Sequence, residues 1–489
     1  MKRCVLVAAL LLGGCAAGPD FHAPSAPDAQ SYARETLPAS TQAAGATQTL
    51  VAADHALPAW WTQFRSDALN RLVDTALQQS PTLDEARAKL VEARENYVAQ
   101  AGATQFPTID AKLSGARQKV DPAAFGIPVP SPGPFTLFNA SVSVSYLLDV
   151  FGGNRRALEA LLAQVDYQTY ELDAARLTLA GNVVSTAIRR ASLQQQFALT
   201  EQLADAQAQQ LKIIEGRYAA GGVAELDVRT QRTLLAQTRA ELAPLATQRA
   251  QADHQLAILL GVAPSNADFN DITLDALHVP DSVPVTLPST LARERPDIRA
   301  SEALLHQASA NVGVATANLY PQFVVSAGVG SERTRIEDIV NGMNIWNIGL
   351  NLTQPIFHGG ELHAKKRAAQ AAYDAALASY RQTVLQALQQ VADTLHALND
   401  DADGLQARDD AASEAQASVK IAQARYSAGG VSQFGLIDTQ RQALQTAIDR
   451  TRAQGDRLAD TAALFQALGG MTPVASVAPV ATVDQAARR

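Results

Sequence analysis

The residue best placed for covalent chemistry is Cys15, the last of Leu12-Gly13-Gly14-Cys15. Lys2 and Arg3 precede an apolar run from Val5 to Leu12, the layout of an export signal and too short to span a bilayer as a helix. The tetrapeptide matches the bacterial lipobox, in which the cysteine is lipidated and becomes the first residue of the mature chain. Of the two cysteines, Cys4 lies in the signal, so cleavage after residue 14 leaves Cys15 as the only thiol and excludes an intramolecular disulfide. Several acyl chains at ~0.8 kcal/mol per buried methylene give stable anchoring. Elsewhere the sequence is chemically quiet. The eight histidines are scattered, with no pair at zinc spacing supported by a third ligand, and His358 and His363, which bracket Gly359-Gly360, read as loop residues. There is no phosphate-cradling glycine motif and no serine elbow, so no enzyme is expected and no cofactor beyond the covalent lipid.

The elements that would carry such an anchored chain are legible from a duplication. Arg217-Tyr218-Ala219-Ala220-Gly221-Gly222-Val223 reappears as Arg425-Tyr426-Ser427-Ala428-Gly429-Gly430-Val431, and other landmarks keep the same shift of about 208 positions. Gly152-Gly153 maps near Gly359-Gly360, Gly261 onto Gly469, and Pro81 with Phe106-Pro107 onto Pro296 with Tyr320-Pro321. This period is far longer than the roughly 20 to 50 residues of solenoid repeats, so one structural half occurs twice. No proline falls between Pro134 and Pro244 or between Pro355 and Pro473, and both windows are rich in Ala, Gln, Leu, Arg, Asp and Glu. Each window predicts two helices meeting at a diglycine, the first over about 155–216 and about 361–425. At ~1.5 Å per residue these are roughly 90 to 100 Å long. Such rods need lateral partners, and apolar residues such as Leu158, Leu161, Leu162 and Val165 recur at three and four spacing with abundant alanine.

Ahead of each long helix the period changes to two. Ser141, Ser143 and Ser145 alternate with Val142, Val144 and Tyr146, and Trp346, Ile348, Leu350 and Leu352 alternate with Asn347, Gly349, Asn351 and Thr353. Segments at 109–114 and 322–329 behave similarly, which predicts one hairpin per half, with loops at Asp121 to Pro134 and about Arg335 to Met343. Aromatic residues gather at the strand ends, among them Phe106, Phe135, Phe151, Tyr320, Phe323, Trp346 and Phe357, as membrane girdles require. Four strands cannot close a barrel, and an open sheet edge in lipid costs several kcal/mol per unpaired backbone group. Strands that span a membrane therefore demand an oligomer.

Composition narrows the alternatives. No stretch approaches 18 consecutive apolar residues, which argues against a helical inner-membrane protein. A net charge of -8 argues against nucleic acid as a partner. The chain divides into a signal (1–14), a lipidated N-terminus with a flexible tether (15–57), two repeats (58–270 and 271–470), each a helix, a hairpin and two long helices, and a disordered tail (471–489).

Several motifs together resemble the outer membrane factor family, specifically its NodT-type lipoproteins of RND efflux systems, similar to TolC. They are Gly18-Pro19-Asp20-Phe21, Trp60-Trp61 with Phe64, Ala187-Ile188-Arg189-Arg190, Leu287-Pro288 followed by Arg295-Pro296-Asp297-Ile298-Arg299, and Gln354-Pro355-Ile356-Phe357 with Gly359-Gly360. The resemblance covers nearly the whole mature chain. It implies an α+β membrane protein in which a homotrimer builds a twelve-stranded outer-membrane β-barrel, four strands per protomer, continued by a long periplasmic α-helical barrel. It also implies a duct for drugs or other small toxic solutes, fed by an inner-membrane efflux pump through a periplasmic adaptor. Ala16, which is not the aspartate that retains lipoproteins in the inner membrane, fits the outer membrane.

In such a family the periplasmic end is pinched shut near the diglycine turns. The matching positions are Asp438 as an inward carboxylate, Arg425 and Tyr426 as a latch, and Asp227 in the counterpart turn. Gly221, Gly222, Gly429 and Gly430 form the tips expected to meet the adaptor. Three Asp438 carboxylates about 6 Å apart at an effective dielectric of ~20 would repel by roughly 3 kcal/mol per pair, and such a ring selects cations. Where some relatives carry a second aspartate a turn earlier this chain has Gly435, so a single ring is implied. Two other readings stay open at the level of sequence: a duct for protein secretion, and a structural envelope lipoprotein without a pore.

Overall fold

The computed structural model describes residues 17–35, 38–119, 126, 133–266 and 268–470. The signal, Cys15 and the tail lie outside the described residues, as does most of the Asp121 to Pro134 loop. The chain runs β1 (Ser40–Ala43), β2 (Ala46–Ala53), a short 3-10 turn (Trp60–Phe64), α1 (Asp67–Gln79), α2 (Pro81–Gln105), β3 (Thr108–Gln118), β4 (Phe135–Leu148), α3 (Gly153–Ala219) and α4 (Glu225–Leu259). It continues through β5 (Ser282–Thr286), α5 (Pro288–Glu294), α6 (Pro296–Ala317), β6 (Gln322–Arg333), β7 (Ile345–Thr353), α7 (Glu361–Ser427) and α8 (Gln433–Ala467).

The long helices are duplicated at identical length: α3 and α7 have 67 residues each, and α4 and α8 have 35. Bounds of both pairs differ by the same 208 positions, 361 against 153 and 467 against 259. At ~1.5 Å per residue the long helices measure about 100 Å. Their starts are set by glycines in the left-handed region, Gly152 (φ 75) and Gly360 (φ 83). Pro81, Pro288 and Pro296 open α2, α5 and α6, where a missing N–H costs nothing. Pro244 behaves differently from the boundary that the proline-free window suggested, because α4 continues through it to Leu259. The interior proline removes one backbone bond, and packing of α4 along α3 holds the helix together across it.

The widest part of the core sits where both halves meet. Trp60, Phe64, Leu69, Ile188, Leu256, Ile298, Leu305 and Phe465 are fully enclosed there, with Trp60 stacked on Phe465 at 5.5 Å. Arg295 of the Arg-Pro-Asp-Ile-Arg motif is buried at this level and donates to the carbonyl of Ala467 (2.8 Å) and to the side chain of Gln390, joining the start of α6 to the middle of α7 and the end of α8. Arg190, also buried, binds Asp253 (3.0 Å), Asn270 (3.1 Å) and the Ile272 carbonyl (3.2 Å).

The segment expected as a flexible tether is instead folded onto the body. β1 and β2 form a hairpin through Ala44 (φ 49) and Gly45 (φ 77), and β2 pairs in parallel with β5. Tyr32 donates to the Thr286 carbonyl at 2.8 Å, and Thr41 accepts from the buried Arg457 at 2.8 Å. A segment with few large apolar side chains is thus ordered through backbone pairing and a buried cation rather than through a hydrophobic core of its own.

Candidate transport channel

The second sheet has the order β3-β4-β6-β7, antiparallel throughout. Its register carries the period-two pattern across all four strands. Val142 lies opposite Ala111 and Val329, and Val329 lies opposite Trp346. One step along, Ile109, Val144, Ala327 and Ile348 align, followed by Tyr146, Val325 and Leu350, then Leu148, Phe323 and Leu352. Partners directly opposite point to the same face, so one face is a continuous apolar surface. The other carries Asp110, Lys112, Ser141, Ser143, Ser145, Ser326, Asn347 and Asn351, with Gly328, Gly330 and Gly349 among them.

No helix covers the apolar face among the described residues: Ile109 (68%), Leu113 (72%), Trp346 (78%) and Ile348 (74%) are largely exposed. A soluble sheet buries such a surface. Strands of 11, 14, 12 and 9 residues are long enough to cross a bilayer when tilted. Phe151 and Tyr320 stack at 4.8 Å just below the sheet, where an aromatic girdle belongs. Among the described residues β3 and β7 each have a single partner and leave two backbone edges open.

At the opposite ends of the long helices, the α3–α4 and α7–α8 turns are nearly superimposable in their bonding. Gly221 (φ 75) donates to Tyr218 and Gly222 to Arg217, while Gly429 (φ 76) donates to Tyr426 and Gly430 to Arg425, at 2.8 to 3.0 Å. These are glycine-closed helix ends in which a left-handed residue lets the chain reverse. The following helix starts differ. Ser432 accepts from the Gly435 N–H at 3.2 Å, whereas Ala224 has no side-chain oxygen and its own N–H is taken by Asp227 Oδ2 at 3.0 Å. The two turns thus use the two opposite halves of a capping box, which gives Asp227 a capping role within the protomer.

Asp438 lies in the second turn of α8 and is paired in its own helix, with Arg441 Nε at 3.1 Å from Oδ1 and Gln442 Nε2 at 3.4 Å from Oδ2. Arg441, three residues on, was readable from the sequence as a neutralising partner and qualifies the bare carboxylate ring. The side chains of Arg425 and Tyr426 are exposed and make no hydrogen bond among the described residues. Within one protomer Asp438 is therefore brought to an ion pair and Asp227 to a cap, while Arg425 and Tyr426 stay available to a neighbour.

Between these ends, α7 and α8 bring three carboxyls together beside Arg457. Burial, then the neighbouring Asp460 and Asp456 carboxylates, push the Asp401 carboxyl up to about 7. Burial likewise raises Asp456, and burial lowers Arg457, which bonds the Leu398 carbonyl at 3.2 Å. No sequence pattern announced this cluster, since its members come from separate helices.

A sheet with one lipid-compatible face, continued by helices of about 100 Å, defines a protomer of an outer-membrane channel. A family model described as "Outer membrane efflux protein" matches residues 72–262 and 287–470, one segment in each half. The solvent efflux pump outer membrane protein SrpC of Pseudomonas putida is 31% identical over 476 residues, covering 96% of this chain and 98% of the relative. Among solved structures, the outer-membrane channel OprN matches with a TM-score of 0.80 at 28% identity, covering 93% of this chain and 99% of that one. The open state of the Neisseria gonorrhoeae MtrE outer membrane channel matches with a TM-score of 0.79 at 25% identity, covering 93% and 98%. The chain belongs to the outer membrane efflux protein family. It is an outer-membrane component of an efflux system and extends from that membrane into the periplasm.

Proposed function

We propose that three copies of this chain close one cylinder, with β3 of each protomer pairing with β7 of the next, and that the cylinder is a duct without catalytic activity. The carrying observation is the register of the four-stranded sheet, which keeps every apolar residue of one face outward while leaving two backbone edges unpaired. In lipid those edges must find partners, and identical copies supply them without a seam. Lipid on Cys15 adds a second hold on the same membrane. The exposed tips at Gly221-Gly222 and Gly429-Gly430 are the surfaces offered to a periplasmic adaptor, which connects the duct to an inner-membrane pump. The cargo is small toxic solutes of the kind for which the solvent efflux relative is named.

Cation preference at the tip is set by Asp438, with Arg425 and Tyr426 latching neighbouring helices. Deleting the gene should raise susceptibility to a panel of dyes, detergents, solvents and antibiotics, and the purified protein should conduct ions in planar bilayers. Unchanged susceptibility together with absent conductance would overturn the proposal.

A further inference from the structure

The first described residues are seated on the helices at the foot of the sheet. Ala17 N–H donates to the Phe151 carbonyl at 2.9 Å. Gly18 (φ 91) lies so close to α6 that a Cβ built on it would stand 2.4 Å from Gly313 Cα. Gly313 is equally constrained, since a Cβ there would stand 2.7 Å from Arg156 Cγ and 3.0 Å from the Ala17 carbonyl oxygen. Both glycines are needed for the approach of backbone to backbone.

Arg156, at the start of α3 with its side chain only 7% exposed, donates through Nε to the Ala17 carbonyl (3.3 Å), through Nη2 to Asp20 (2.6 Å) and through Nη1 to Glu159 (2.7 Å). Glu159 in turn binds His306 Nε2 at 2.9 Å, and the His306 ring stacks on Phe21 at 4.4 Å. The chain of contacts leaves residues 17–22 at Asp20 and returns to them at Phe21. If this segment were free, Arg156 would keep Glu159 as its one carboxylate and lose two of its three bonds in a nearly enclosed position, a costly arrangement.

Its location gives the seat a purpose. Phe151, which holds Ala17, stacks on Tyr320 in the aromatic pair below the sheet. Ala17 is two positions from Cys15, and two steps at ~3.3 to 3.6 Å per residue span at most about 7 Å. We propose that Arg156, Glu159, His306 and Gly313 form a seat for the strap of residues 17–22, and that seating fixes the place and depth at which the lipid of Cys15 enters the membrane. This inference rests on lipidation of Cys15.

The test uses the full-length protein in lipid vesicles. Because the processed chain keeps no thiol other than the lipidated one, His22→Cys offers a single site for a spin label or dye. The label should be immobilised, with one quenching depth against nitroxide-bearing headgroups. Arg156→Ala or Gly313→Val should release it, giving fast motion and a spread of depths. Should either disturb the helices, Asp20→Asn with Phe21→Ala alters the strap alone and should give the same loss with unchanged conductance. A label equally mobile in the unmodified strap, or equally immobile in all variants, overturns the seat. Mass spectrometry of the N-terminal peptide reports separately on lipidation: an unmodified Cys15 sinks that premise, while label mobility still tests the seat itself. A lipidated chain whose label keeps its depth after release overturns the depth assignment.

Discussion

Gly18 and Gly313 approach backbone to backbone: a side chain on Gly18 would collide with the main chain of Gly313, and one on Gly313 with the Arg156 side chain and the Ala17 carbonyl. Gly18→Ala adds strain at φ 91 to that collision. Together they should lower stability by about 1–3 kcal/mol, measured as earlier thermal dissociation of the solubilised assembly. Gly45→Ala, also at positive φ but with open space around its Cβ, should cost less.

Arg295 ties the start of α6 to the Ala467 carbonyl at 2.8 Å and to Gln390, and it packs against Gly469. Arg295→Ala leaves buried acceptors unpaired and opens space. A loss of about 2–4 kcal/mol is expected in chemical denaturation, with Arg295→Lys recovering only part because it cannot reach several acceptors at once.

The carboxyl cluster of α7 and α8 makes stability pH-dependent. Burial raises Asp401 from 3.8 to about 7, so the folded state holds its proton more tightly than the unfolded chain. Stability from that proton is fully present below about pH 4 and is lost as pH rises through about 7. Asp401→Asn keeps the neutral form at all pH values. It should raise the melting temperature above pH 7 and flatten the slope between pH 4 and 7. The effect is on the order of 1–2 kcal/mol once the half-exposed setting is discounted. A steeper slope in Asp401→Asn would contradict this.

Asp438 and Arg441 make opposite predictions. If Asp438 faces the duct, Asp438→Ala should reduce cation preference in reversal-potential measurements, whereas Arg441→Ala frees the carboxylate and should increase it. Shifts of the same sign, or none, would remove this pair from the selective constriction.

The long helices were legible because proline-free windows and repeated diglycines are local signals. The two faces of the strands were legible from period two, whereas the register and the pairing of β4 with β6 between the halves came from the fold. Pro244 misled because helix packing outweighs a local propensity. The β1–β2 hairpin was missed since its turn, Ala44-Gly45, lacks the Asn or Asp that marks such turns. The strap seat was beyond reach for a different reason. Arg156 meets Asp20 across 136 positions and Glu159 meets His306 across 147, so no spacing within the sequence could pair them. Gly18-Pro19-Asp20-Phe21 was visible as a motif, yet what it touches is defined only by the fold.

Native mass spectrometry of the detergent-solubilised full chain tests the central claim most directly. Closure of β3 against a neighbour's β7 predicts a single species of three copies that persists on dilution. A stable monomer that retains its strand content would contradict it.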